Sequence, residues 1–493
     1  MATEAIGGSP TSPASPVNPA PSSAALPQQS LQPPSSPPPP QEISSLLTII
    51  LTTSPTPSAP STDLVAAVLA SFRAHCSALL ACSVIVVFDT YDHIGPQLRL
   101  KKGWVTPVEA ANYDTYKANV KQLVLETWED DGKEATVETG EAEYGSPMIA
   151  DNAVPFTTTK TAGGRISFVE PTQRLGFGLA VRTAVRAATT PYVWVQQHDW
   201  TLAADIPLAA MLDAMRTAEK AVKEGGGGLA DGIGEDSTPA MELYESTESD
   251  PPTPGTSTPG TPSSYPIPEH TSALDPSLPV AIRYICLPSV RMLRYAGSAH
   301  AIGFPTLRAL TAAFKRDVPT SSSASAKSTI SPDLASGSAH SLPLTPLFFW
   351  HDKTHIAHRD HYLRRVFASR LALGRGDFIE DHIGQRARAQ MKRDPAAWHR
   401  WACWLYYPDN GNQLCLRHLQ GRTWRGEQQE QAIRDEHVAR NAVRNRSAAS
   451  AAAAAAMAAA EKIRQKGKTE DVDKNEGEAD PSWGGLPFRS DEY

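Results

Sequence analysis

The chain has 493 residues, a net charge of −7 and a pI near 6.1, so no basic excess advertises nucleic acid or acidic lipid as a partner, and any anion site has to be local. Its five cysteines are an odd number with no C-x-x-C pair, which disfavours a disulfide or zinc framework and points to buried thiols in a reducing compartment. No apolar run approaches the ~20 residues a membrane helix needs, and the N-terminus lacks a basic segment followed by an apolar one, so a cytoplasmic protein without a membrane span is expected.

Residues from 1 to about 41 are rich in Pro, Ser and Ala and cannot bury enough apolar surface to offset the entropy of ordering; they are expected to be disordered. Ile43–Leu51 ends in the apolar run Leu46–Leu51, a predicted buried strand. Thr62-Asp63 can cap a helix to about Leu80, with Leu64, Val65, Val68, Leu69, Phe72 and Leu79 apolar. Ser83–Asp89, rich in β-branched residues, is the next strand, completing a unit that predicts a right-handed parallel crossover. Residues 105–130 read as helix with Tyr116, Val120, Leu123 and Val124 on one side, and 131–164 as a polar, Gly-containing loop. Arg165–Glu170 is a strand, Leu179–Ala188 a helix opened by Gly176 and Gly178, and Pro191–Gln197 a strand running into His198-Asp199-Trp200. This alternation predicts an α/β fold: a mostly parallel twisted sheet with helices on both faces.

Two Pro/Ser/Gly-rich inserts, about 222–275 and 318–345, interrupt the domain, and Gly225–Gly228 reads as linker because no Lys-Ser/Thr follows to make a phosphate loop. Val280–Leu287 is a predicted strand, Ser289–Tyr295 a short helix and Leu347–Trp350 a strand-like run. Gly376–Asp381 leads into a helix to about Lys392. Trp401–Tyr407 and Gln413–Leu419 flank Pro408–Gly411, a β-hairpin signal because Asn-Gly accepts positive φ. The tail, 425–493, is helical to about 467 and able to meet a protein partner, as are the Pro-rich tracts. One domain spanning 42–424 is therefore expected.

In open parallel sheets ligands bind beyond the carboxyl ends of the strands, where Asp89 and Asp199 fall. Each could bind a ligand or simply cap the turn that follows it. His351, His355, His358 and His361 are spaced to share a helical face, but a solvated or acceptor-contacting surface outweighs a metal site. Trp398, Trp401 and Trp404 read as core packing ahead of sugar stacking.

Taken in order, Leu46–Thr53, Val84–Asp89, Gly176–Arg182 and Val193–Asp199 resemble the strand, I-V-V-D-D strand, G-x-x-x-A-x-N helix and D-x-D strand of family 2 glycosyltransferases and their GT-A-fold (Rossmann-like) relatives. Glu380-Asp381 resembles the acceptor-half E-D pair, and His418, in Arg417–Arg422, a later His near the diphosphate. The resemblance implies inverting transfer of a sugar from a nucleotide-sugar donor to an acceptor that the sequence does not identify. Asp381, with Glu380 beside it, would be the base. Asp89, Gln197, His198, Asp199, Arg182, Arg417 and Arg422 would bind the donor, and Asp199 with His418 would hold Mn²⁺ or Mg²⁺. Gln197 stands where the first D-x-D carboxylate belongs, so the alternative is neutralisation of the diphosphate by Arg417, Arg422 and Arg425. The same loss favours the rival reading, a non-catalytic nucleotide-sugar-binding or scaffold protein. A nucleotidyltransferase lacks support, having no Gly-rich phosphate loop near the first strand.

Overall fold

A computed structural model describes residues 40–149, 151–224, 279–319, 341–424 and short pieces between 426 and 458. The expectations for residues 1–39, for most of both inserts including Gly225–Gly228, for Arg425 and for most of the tail lie outside the described residues.

The strands are β1 (Leu47–Thr53), β2 (Ser83–Phe88), β3 (His93–Ile94), β4 (Trp104–Val105), β5 (Glu134–Glu143), β6 (Ala153–Thr161), β7 (Ile166–Pro171) and β8 (Tyr192–Gln197). They continue with β9 (Trp200–Leu202), β10 (Tyr284–Cys286), β11 (Arg316–Pro319), β12 (Ser341–Pro346), β13 (His355–His358), β14 (Cys403–Tyr406) and β15 (Leu416–His418). Eleven of them form one mixed sheet in the order β11-β12-β14-β10-β13-β8-β1-β2-β7-β6-β5. All but β6, β12 and β13 point the same way. At its centre β8, β1, β2 and β7 are consecutively parallel.

Every residue of β1 is buried, as are all of β2 beyond Ser83 and all of β8 before Gln197. Continuous apolar runs are what a strand covered on both faces requires, and this is the α/β arrangement that the pattern predicts. Helices α1 (Pro40–Leu46), α2 (Asp63–His75), α3 (Pro107–Trp128), α4 (Phe177–Ala187) and α5 (Leu208–Glu224) surround this half. The start of α3 is fixed by Pro107 and by Thr106, whose hydroxyl accepts from the Glu109 N–H at 3.3 Å while bonding the Glu109 carboxylate, a reciprocal cap. Its buried face, Tyr113, Tyr116, Val120, Val124 and Trp128, joins the core. All five cysteines are free and buried. Among the described residues no helix is long and apolar enough to cross a membrane.

Four expectations are corrected. Residues 131–164 are not a loop but carry the antiparallel pair β5–β6. The signal was masked because β5, Glu-Ala-Thr-Val-Glu-Thr-Gly-Glu-Ala-Glu, is a polar edge strand; Gly140 in it lies under the Phe156 ring, which a Cβ would meet at 2.5 Å. The second insert is bracketed by paired strands: β11 and β12 occupy its ends, with Leu342 and Leu344 buried, whereas Leu347–Trp350 is buried but not a strand. Residues 401–419 do not form a hairpin. Asp409 and Asn410 do take positive φ (49° and 50°), yet β14 pairs with β10 and β12, while β15 pairs with β9 in a separate two-stranded sheet. Finally, His355–His358 is strand, not helix, and His355 and His361 are buried, so no histidine-lined helical face exists there. Trp398, Trp401 and Trp404 are core residues, as their spacing indicates.

Candidate functional site

Strand order reverses at β1, with β2 on one side and β8 on the other, so a crevice opens beyond the carboxyl ends of these strands. The three ends are level: Asp89 N–H donates to the Thr53 carbonyl at 2.8 Å and His198 N–H to the Thr52 carbonyl at 3.0 Å. The crevice is a cleft of about 760 Å³, floored by Thr53, Asp89, Gln197, His198 and Asp199. Asp352 and Glu380 line it from the other half of the sheet, and the segment 414–423 closes a further wall.

His198 is 8 % exposed. Its Nδ1 accepts from Ser54 N–H at 3.2 Å and lies 3.0 Å from the Thr53 hydroxyl, which in turn contacts the Tyr116 hydroxyl at 2.6 Å. Burial lowers its pKa although Asp199 pulls the other way, so the ring is neutral and pins the end of β1 to the end of β8.

Asp199 is the hub of the opposite wall. Its Oδ2 accepts from His418 Nε2 and from Gly421 N–H, both at 3.1 Å, and its carbonyl accepts from Leu419 N–H at 2.7 Å. His418 stacks on Trp200 with centroids 4.5 Å apart. Gly421 is required by proximity, since a Cβ there would stand 2.8 Å from His198 Nε2 and 3.0 Å from Asp199 Cβ. Asp199 thus straps the Arg417–Arg422 segment over the cleft. Burial opposes its ionisation, but the His418 hydrogen bond, the two imidazoles and the Gly421 N–H hold its carboxyl down at about 2.

A carboxyl held below its ordinary 3.8 contributes stability that is present above that value and lost as pH falls through about 2. Between about pH 5 and pH 2, the unfolding free energy of the native chain is expected to drop by roughly 2 kcal/mol more than that of Asp199→Asn. Urea melts at the two pH values check this, and parallel losses in both proteins would refute it. Asp89 has the opposite sign. Burial pushes it up to about 6 against the Leu175 N–H, Arg174, Gly176 N–H and Thr90 N–H, so its contribution is lost as pH rises through about 6.

Asp89 is also structurally committed, taking Leu175 N–H at 2.6 Å, Gly176 N–H at 3.1 Å and Thr90 N–H at 3.1 Å. It faces the cleft while fixing the entry to α4. Arg182 is elsewhere: it does not line the cleft, is 4 % exposed and donates to the Glu143 carbonyl at 3.2 Å. Burial brings its pKa down to about 10.

Of the E-D pair, Glu380 lines the cleft, whereas Asp381 is exposed and is not among the lining residues. Glu380 and Asp352 grip each other: Glu380 N–H donates to Asp352 Oδ1 at 3.2 Å and Asp352 N–H to Glu380 Oε2 at 3.4 Å. The same Oε2 lies 3.4 Å from His351 Nδ1. Burial pushes Asp352 well above its ordinary value, and the charges of Glu380 and Asp381 add to that against the Glu380 N–H and Lys353; its buried Oδ2 has no partner among the described residues. Burial also resists ionisation of Glu380, but His351, Lys353 and the Asp352 N–H lower its pKa overall. The two neighbouring carboxyls are thereby driven in opposite directions, Asp352 toward its protonated form and Glu380 toward its charged one. Asp352 was missed because no motif surrounds it, and Arg174, Arg291 and Lys353, which also line the cleft, likewise belong to no motif.

The donor set fits a resident divalent cation poorly. Gln197 supplies no carboxylate and donates its Nε2 to the Asp352 carbonyl at 2.8 Å, His418 Nε2 is bonded to Asp199, and the buried unpartnered carboxyl oxygens of the cleft are Asp199 Oδ1 and Asp352 Oδ2, which belong to different walls. Among the described residues no three His, Cys, Asp or Glu side chains converge as metal ligands. No protein-family model and no curated protein matches the chain.

Proposed function

We propose that the chain is a GT-A-type glycosyltransferase that takes a sugar from a nucleotide-sugar donor and passes it, with inversion, to an acceptor hydroxyl. The observation that carries this reading is the convergence of Asp199, Glu380, Asp352 and the Arg417–Arg422 strap on one cleft at the point where strand order reverses. A cleft of about 760 Å³ suits a ligand the size of a nucleotide sugar. In this reading the acceptor oxygen attacks the anomeric carbon, its proton passes to Glu380, and the nucleoside diphosphate departs with the bonding pair. The ionised Glu380 takes the role that the resemblance gave to Asp381. Asp352, through the Oδ1 that accepts from the Glu380 N–H, would hold Glu380 at the cleft wall.

A second reading, a binding protein without turnover, is favoured by Gln197, whose amide is tied to the Asp352 carbonyl rather than open to the donor. Calorimetry with UDP-, GDP- and CDP-linked sugars, followed by a donor-hydrolysis assay, separates the two. Binding with hydrolysis supports the transferase; binding without it supports the second reading; no binding by any donor removes both.

A further inference from the structure

We infer that this cleft grips the donor diphosphate with side-chain cations alone and needs no divalent metal, an inference that rests on the nucleotide-sugar reading. The candidate metal ligands are already engaged in protein contacts. Gln197 brings no carboxylate and donates its Nε2 to Asp352, and Asp199 Oδ2 accepts from both His418 and Gly421, so the Gln197-His198-Asp199 run offers one unpartnered carboxylate oxygen, Asp199 Oδ1. A hard cation asks for about six oxygen ligands, so the protein would supply too few.

Positive charge is abundant instead. Arg174, Arg291, Lys353, Arg417 and Arg422 all line the cleft. Arg174 is shared with Asp92 at 3.8 Å. Arg291, Arg417 and Arg422 are exposed and have no ion-pair partner among the described residues; Arg422 lies over the Phe378 ring at 5.5 Å. Of the lining acids, Asp89 is bonded to backbone N–H groups and Asp352 favours its protonated form, so the ionised acids are fewer than the cations. The balance suits a diphosphate. When the bond between the anomeric carbon and the β-phosphate oxygen breaks, the electron pair stays on that oxygen, the new bond forms to the acceptor oxygen, and the acceptor proton goes to Glu380. The diphosphate thus gains one negative charge, which guanidinium groups can neutralise with paired N–H donors. Asp199 serves as a positioning residue, holding the strap that brings Arg417 and Arg422 to the phosphates.

The test is calorimetric titration of the full chain with UDP, GDP and CDP, first in EDTA and then with Mn²⁺. At least one nucleotide is expected to bind in EDTA with a Kd within about threefold of its Mn²⁺ value, and Arg417→Ala and Arg422→Ala are each expected to weaken it by about tenfold. Raising the salt should weaken binding further. Binding that appears only with Mn²⁺ overturns the inference and leaves the transferase reading standing. Binding in EDTA that ignores both substitutions also overturns it. If none of the three binds under either condition, the nucleotide-sugar reading itself fails.

Discussion

On the proposed transferase reading, Glu380→Gln is expected to reduce kcat by roughly a hundredfold to ten-thousandfold while leaving donor affinity nearly unchanged, because general-base catalysis is typically worth that much. Glutamine keeps an oxygen where Glu380 Oε2 meets Asp352 N–H, so the local fold should persist. It cannot take the acceptor's proton. Asp352 is a poor substitute, since burial pushes it toward its protonated form and its Oδ1 already accepts from the Glu380 N–H. On the same reading, turnover by the native chain should fall on the acid side only below the ordinary glutamate value of 4.5, because Glu380 is shifted down from it. Asp381→Asn is the control, with turnover expected within about threefold of native because the side chain is exposed and outside the cleft lining. Steady-state kinetics on an identified donor decide the matter. A Glu380→Gln enzyme with native kcat, or an Asp381→Asn enzyme without activity, would return the base to Asp381.

Gly176→Ala is expected to destabilise the fold by about 3–5 kcal/mol, lowering Tm by roughly 10 °C. Gly176 has φ +80°, and an added Cβ would meet the Gly376 backbone at 2.4 Å (Cα), 2.6 Å (C) and 2.8 Å (N). Neither chain can give way easily. Gly376 N–H bonds the Leu175 carbonyl at 2.7 Å, Gly178 N–H bonds the Asp377 carbonyl at 3.0 Å, and Asp89 holds Leu175 and Gly176 from below. This backbone-to-backbone contact joins the entry of α4 to the segment that delivers Glu380, so the substitution should also impair whatever the cleft does. Gly297→Ala provides the comparison, with nothing within 4 Å of the added methyl and a change expected within about 0.5 kcal/mol. Calorimetric melting of both variants reads the difference, and equal Tm values would mean that the two loops can separate at little cost.

The parts of this protein that could be read from the chain are those set by local pattern. Leu47–Thr53, Ser83–Phe88 and Tyr192–Gln197 announce themselves because a strand buried on both faces must be apolar along its whole length, and Asp89 and His198-Asp199 follow directly where the apolar runs stop. The tryptophans at 398, 401 and 404 and the start of α2 at Asp63 are similarly local, although Thr62 makes no side-chain capping hydrogen bond there. Glu134–Glu143 escaped because an edge strand facing water has no need of an apolar face.

Tertiary structure decided the rest. A run such as Cys403–Tyr406 specifies a strand but not a neighbour, and its neighbours prove to be Tyr284–Cys286 and Ser341–Pro346 rather than the segment just past the Asn-Gly turn. Likewise, an acidic pair at 380–381 states that charge is present, whereas the packing of Asp352 beneath Glu380 determines which of the two side chains enters the cleft. Hydrophobic periodicity reports what each residue does relative to its own element. Pairing, burial of a charge and the close approach of Gly176 to Gly376 depend on residues from 28 to 200 positions apart, and only the folded chain brings those into contact.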